Sequence, residues 1–207
     1  MSDLKNRWFD LTSHFLTDET AEIVWDLLDA HYSEAGRAYH NWNHISDCFV
    51  QLDQVSEQVN QRLHFELAIF YHDVIYIPRA ADNEQASADF AAETLSRAGF
   101  PDSEIAIVSQ LIMDTTHQQK PQSADGQLLV DIDLSILGAE PARFAQYDAQ
   151  VREEYSWVEE QAYKIGRSRI MQSFLDRERI YYTAYFAENY EAQARINLRD
   201  LIERLKG

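Results

Sequence analysis

Histidine and aspartate are the residues of this chain whose setting could do chemistry. The stretch LAIFYHDVIYIP (67–78) is a run of large apolar and aromatic side chains broken at one point, by His72 and Asp73. Burying an imidazole and a carboxylate without partners costs several kcal/mol, so something must satisfy the pair. The conflict recurs in QLLVDIDLSILG (127–138), where Asp131 and Asp133 interrupt an apolar helical pattern. His40 and His44 stand four apart in the aromatic setting AYHNWNHISDCF, and share a face if that segment is already helical. Taken singly, each has a plain explanation: a buried His–Asp hydrogen bond, or an aspartate capping a helix. Taken together, two histidines and two carboxylates from three helices could satisfy one another around a divalent cation. The cation would neutralise the carboxylates and remove their desolvation penalty. Mixed nitrogen and oxygen ligands suit Mn, Fe, Co, Ni, Zn or Mg without choosing among them. His14, His31 and His64 fall in polar stretches and read as solvated side chains.

Other chemistries lack their residues. There is no GxxxxGK[ST] and no G-x-S-x-G, and no histidine begins a His-Glu-x-x-His motif. No histidine has a glutamate three residues before it, which removes the helical-bundle di-iron carboxylate pattern. The single Cys48 has no second cysteine with which to build a zinc knuckle or a disulfide.

Helices must position these groups. Leu4, Trp8, Leu11 and Phe15 form an amphipathic stripe over 4–16, and a Thr17-Asp18 start signal precedes a second over 21–32. Further helices are expected over 43–58 and 61–75. Asp82 and Gln85 resemble a capping box for a helix reaching 98, with Gly99 as its C-terminal stop. Pro101-Asp102 opens the next, to 113, and the polar stretch 115–127 reads as a loop. Helical pattern returns at 128–137, 142–175 and 177–205. No sustained alternation is present. The expectation is an all-α protein, a single domain over residues 1–207.

A formal charge of −17, from 18 basic and 35 acidic residues, argues against nucleic acid or an anionic membrane as the main partner. The lone cysteine, an N-terminus without a signal-peptide core, and the lack of a membrane-length apolar run fit a cytoplasmic protein.

The order His44 … His72-Asp73 … Asp133 resembles the H…HD…D signature of the HD-domain superfamily, all-α metal-dependent phosphohydrolases. YHNWNH, FYHDVIYIP, DNEQASA, Thr116-His117, DIDLSILG, REEY (152–155), Gly166-Arg167 and EAQARINL are similar to the predicted metal-dependent HD phosphohydrolase family. This likeness runs from about Arg37 to Leu198. It implies His44, His72, Asp73 and a final aspartate as metal ligands. Asp131 and Asp133 both fit that last place. Asp133 is preferred because Asp-Leu-Ser looks like the ligand-bearing segment of cyclic-nucleotide phosphodiesterases, which share the HD core. Many HD proteins carry Ala-Asp-Arg-Leu here, and this chain lacks that arginine.

The resemblance also assigns outer roles. Asp73 or Glu84 would guide a proton, although Glu84 equally suits a first-turn position in its helix. His117 would meet the substrate's phosphate or a second metal, and His40 would contact phosphate or donate a proton. Arg152, Tyr155, Lys164 and above all Arg167 would supply the cationic and polar contacts that an anionic substrate needs in an acidic protein. The implied activity is hydrolysis of a phosphate ester or anhydride on a small metabolite or nucleotide, by metal-activated water. Two rivals remain open: an HD-fold di-iron oxygenase, and a metal-stabilised ligand-binding module without turnover. The substrate, the native metal and the oligomeric state are left open as well.

Overall fold

The computed structural model describes residues 2–207, and among them every regular element is helical. The all-α expectation holds. The backbone gathers into two compact units, one closing at Leu129 and the other spanning Val130–Gly207.

The first unit contains α1 (Ser2–Thr12), α2 (Asp18–Tyr32), α3 (Trp42–Val55), α4 (Arg62–Tyr71), α5 (Asn83–Arg97) and α6 (Asp102–Asp114), and the start of α7 (Ala124–Asp133). Helix α4 is its axis: every residue from His64 to Tyr71 is buried. Aromatic rings from α1, α2 and α3 close around it. Trp25 stacks on Trp42 at 4.8 Å, Trp8 meets Phe70 edge-on at 5.3 Å, and Phe49 lies 4.7 Å from Phe70. Two of the indole N–H groups find buried acceptors, Trp8 donating to the Ala21 carbonyl and Trp42 to Asp29. Helices α5 and α6 pack together, and α6 packs on α4.

Local signals explain several boundaries. Thr17 caps α2 by accepting from the Thr20 amide, and Asn41 caps α3 by accepting from Asn43. Gly99, at φ +87, follows α5 in the left-handed conformation, with the Phe100 amide returning to the Leu95 carbonyl. Other expectations need correction. Helix α1 stops at Thr12, leaving Phe15 exposed. Asp82 makes no side-chain cap on α5; Gln85 bonds Asp89 instead. Helix α4 ends at Tyr71 rather than near 75, which puts the His-Asp pair in the turn beyond it. His64 is buried against Glu104 rather than solvated.

The second unit holds the end of α7, a 3-10 turn (Leu134–Gly138), α8 (Pro141–Glu154), α9 (Glu160–Leu175) and α10 (Ala184–Lys206). The two long helical stretches expected here are broken, because side chains satisfy backbone that leaves the helix. Arg152 donates to the carbonyls of Tyr155 and Val158 between α8 and α9. Before α10, Arg195 donates to the carbonyls of Leu175, Arg177 and Glu178, and Glu191 accepts from the amides of Ile180 and Tyr181. A Cβ on Gly138 would fall 2.6 Å from the Tyr190 carbonyl oxygen, so only glycine lets the turn approach α10 this closely.

Candidate metal centre

The site is assembled where α3 begins and α4 ends. Asn41 anchors the start of α3, its amide nitrogen donating to the carbonyls of Arg37 and Ala38, and this points His44 inward from the first turns. His72 makes the last helical bond of α4, to the Ala68 carbonyl. The chain then turns, and its carbonyls are taken by a buried cation. The Arg37 guanidinium donates to the carbonyls of Asp73 and Val74, both at 2.7 Å, and to that of His40 at 3.2 Å. Ser87 bonds both the amide and the carbonyl of Ile75. The apolar sequence around His72-Asp73 thus buries the pair, while Arg37 and Ser87 satisfy the backbone that presents it.

Three donor atoms converge there. His44 Nε2 lies 3.1 Å from His72 Nε2 and 3.4 Å from Asp73 Oδ2, and His72 Nε2 lies 3.2 Å from the same oxygen. His72 Nδ1 is 3.0 Å from the Ile69 carbonyl, which can only accept. The proton of a neutral His72 therefore sits on Nδ1, and the Nε2 lone pair faces the other two groups. Burial by itself would push the Asp73 carboxyl up. The imidazoles of His72 and His44, with His40 further off, outweigh it and hold the carboxylate well below its usual range.

The triangle has the size of a coordination face. Ligand bonds of about 2.1 Å put neighbouring donors about 3.0 Å apart in octahedral and about 3.4 Å apart in tetrahedral geometry. The observed edges run from 3.1 to 3.4 Å. His44, His72 and Asp73 therefore fit a divalent ion. Cys48, one turn beyond His44 on the same face of α3, brings a fourth candidate: His44, Cys48 and His72 each offer a ligand atom within 4.8 Å of the others.

Aromatic rings fix the histidines. Tyr39 lies 4.9 Å from His44, and His40 stacks on Tyr76 at 4.0 Å. His40 precedes α3 rather than sharing its face with His44, though their rings are 6.1 Å apart. Glu84 stands in the first turn of α5, where it lines a cavity of about 380 Å³ with Asp114, Thr116 and Lys120. His117 lies between α6 and α7 with a left-handed φ of 56°, and is half-buried rather than fully exposed.

The two aspartates of α7 have different surroundings. Asp131 is fully buried and accepts from the amides of Tyr182 (2.8 Å) and Thr183 (2.7 Å) and from the Thr183 hydroxyl (2.6 Å). Those donors lie at the start of α10, so its burial is explained without a cation. Desolvation raises its carboxyl to about 6 although these hydrogen bonds pull the other way. Asp133 is the last residue of α7 and is partly exposed.

The residues expected to meet an anionic substrate lie on α8, on α9 and in the turn between them. Arg152, besides its carbonyl bonds, lies 4.5 Å over Tyr163; Lys164 pairs with Glu160; Tyr155 is 6.4 Å from Tyr163. Arg167 is buried over Tyr147 and bonds Asp148 at 3.4 Å.

Sequence reading missed two members of the site. Arg37 gave a signal, as the one cation in the short loop before YHNWNH, but nothing local tells that its guanidinium reaches residues 73 and 74. Cys48 has no second cysteine to mark it, and its signal is the spacing from His44, the helical i, i+4 that shares a face. No helix among the described residues is long and apolar enough to cross a membrane. No family model matches the chain, and no curated protein or solved structure matches it either.

Proposed function

We propose that this protein is a metal-dependent phosphohydrolase acting on a small phosphorylated metabolite or nucleotide, a member of the HD-domain superfamily. The observation that carries this reading is the convergence of His44 Nε2, His72 Nε2 and Asp73 Oδ2 within 3.4 Å, with the His72 tautomer set by Ile69. The order of these residues in the chain, with Asp133 after them, supports it. Asp133 is proposed as the further ligand, and Asp131 as the anchor of α10.

A divalent ion at such a site supplies a water of lowered pKa and polarises a phosphoryl oxygen. The chain's own residues do the rest. His44, His72 and Asp73 hold the ion, and Arg37 keeps the turn that presents them. The ionised Asp73 carboxylate, or Glu84, takes up a proton from the attacking water. His40 and His117 meet the phosphate. Arg167 is the preferred cation for the substrate's negative charge, with Lys164, Tyr155 and Arg152 beside it; Arg167 retains one buried guanidinium nitrogen without a hydrogen-bond partner. The charge of −17 repels a polyanion, which favours a small substrate over a polymer.

The test is metal analysis of the purified protein with a phosphatase screen over a metabolite panel, run as purified, after chelation and after reloading. Divalent metal near stoichiometric amounts, with activity lost on chelation and absent in His72→Ala, is expected. A metal-free protein whose melting temperature ignores both chelator and added ion would overturn the reading. Iron with an oxygen-dependent spectrum and no phosphate release would replace it with oxygenase chemistry.

A further inference from the structure

We infer that the Tyr32 hydroxyl is the stop of α4: by donating to the Phe70 carbonyl it ends the helix at Tyr71 and so positions His72 and Asp73 for the metal centre. In this role Tyr32 is a positioning residue, touching neither ion nor substrate. The inference rests on the reading of His72 and Asp73 as metal ligands and adds a residue on which they depend.

A helix leaves its last four carbonyls without intrahelical partners. In α4 each of these carbonyls finds a donor of its own. The Ala68 carbonyl accepts from the His72 amide at 2.9 Å and the Tyr71 carbonyl from the Val74 amide at 3.1 Å. The Ile69 carbonyl meets His72 Nδ1 at 3.0 Å. The Phe70 carbonyl accepts at 2.9 Å from the hydroxyl of Tyr32, the last residue of α2. Were α4 to continue, the Val74 amide would bond the Phe70 carbonyl and the Asp73 amide the Ile69 carbonyl. Tyr32 stands in for both. Its hydroxyl supplies the Phe70 carbonyl, so the Val74 amide closes a tighter turn onto Tyr71. Its oxygen also faces the Asp73 amide. The Ile69 carbonyl is thereby left to His72 Nδ1, the contact that turns the His72 Nε2 lone pair toward His44 and Asp73. Tyr32 is 2% exposed, so solvent does not replace its hydroxyl. Trp42, with its ring 4.7 Å away, and the Arg37 guanidinium, 5.4 Å over the phenol, hold the ring in place.

Tyr32→Phe removes one oxygen and keeps the ring. Wild type and variant are stripped with chelator and compared at a temperature where both are fully folded, so that a loss of global stability enters neither of two readings. The first is the tautomer of His72, read from the nitrogen shifts of its imidazole in metal-free protein, above the pH at which the ring is protonated. Wild type is expected to hold the proton on Nδ1. In the variant the Asp73 amide competes for the Ile69 carbonyl, and a mixture of tautomers is expected. The second is calorimetric titration with Mn²⁺ and Zn²⁺. Affinity is expected to fall about tenfold or more, the usual effect of losing a group that orients ligands. A variant with the wild-type tautomer or with wild-type ion affinity would overturn the inference, because a lowered melting temperature alone would make the hydroxyl a plain fold contact. A variant that does not fold would overturn it in the same way. A wild type that binds neither ion is a different failure: it removes the metal centre, and the positioning role with it.

Discussion

Replacing Arg37 by methionine should loosen the fold and the site together. Its guanidinium is almost wholly buried and holds the backbone carbonyls of His40, Asp73 and Val74. Methionine keeps much of the stem and so limits the packing loss. The two contacts at 2.7 Å are short, charge-assisted bonds, each contributing about 1.5–3 kcal/mol, and deleting the donor leaves the carbonyls unsatisfied. The pair with Glu34, which is largely exposed, adds little. These terms are not additive, and a loss of about 3–5 kcal/mol is expected. Urea denaturation of chelated wild type and variant measures it, with the m-value checking that both unfold alike. Calorimetric titration with a divalent ion should then show affinity reduced about 10–100-fold, the usual effect of removing a group that orients ligands. Arg37→Lys, which keeps the charge but not the fork, should fall between. A loss under about 1 kcal/mol with unchanged ion affinity would refute the reasoning, since ordinary surface changes do no more. A large destabilisation with wild-type affinity would show that Arg37 holds the fold without orienting the ligands.

Three further outcomes are expected. Asp131→Ala should destabilise the second unit by about 2–4 kcal/mol, by stripping the acceptor from the donors before α10, and leave ion binding nearly intact; Asp133→Ala should keep the fold and lose the ion, and calorimetry showing the reverse would exchange their roles. His117→Ala should cost under about 1 kcal/mol in denaturation and slow phosphate release at least about tenfold, so wild-type turnover would make it a bystander. Asp114 has one carboxylate oxygen buried without a hydrogen bond, and desolvation raises its pKa. A raised carboxyl pKa stabilises the fold at acid pH, and that stability is lost as pH rises through the carboxylate range. Asp114→Asn should therefore melt higher than wild type near neutrality, with the difference shrinking on acidification; an equal difference at both pH values would exclude this cause.

Much was legible without coordinates because it depends on local chemistry. Apolar repeats at helical spacing marked the helices, Thr17 and Gly99 marked ends, and polar residues inside apolar runs singled out His44, His72, Asp73, Asp131 and Asp133. Only the tertiary structure ended α4 at Tyr71, since the bonds that satisfy the departing chain come from Arg37 and Ser87, both remote in sequence. The same holds for the break before α10, where Glu191, Arg195 and Asp131 supply partners that no local pattern reveals. Residue types and order thus determined which groups could meet an ion. The direction of the His72 lone pair, the service of Asp131 to α10 and the approach of Cys48 to His44 were decided by folding, because each depends on where a distant backbone or side-chain atom comes to rest.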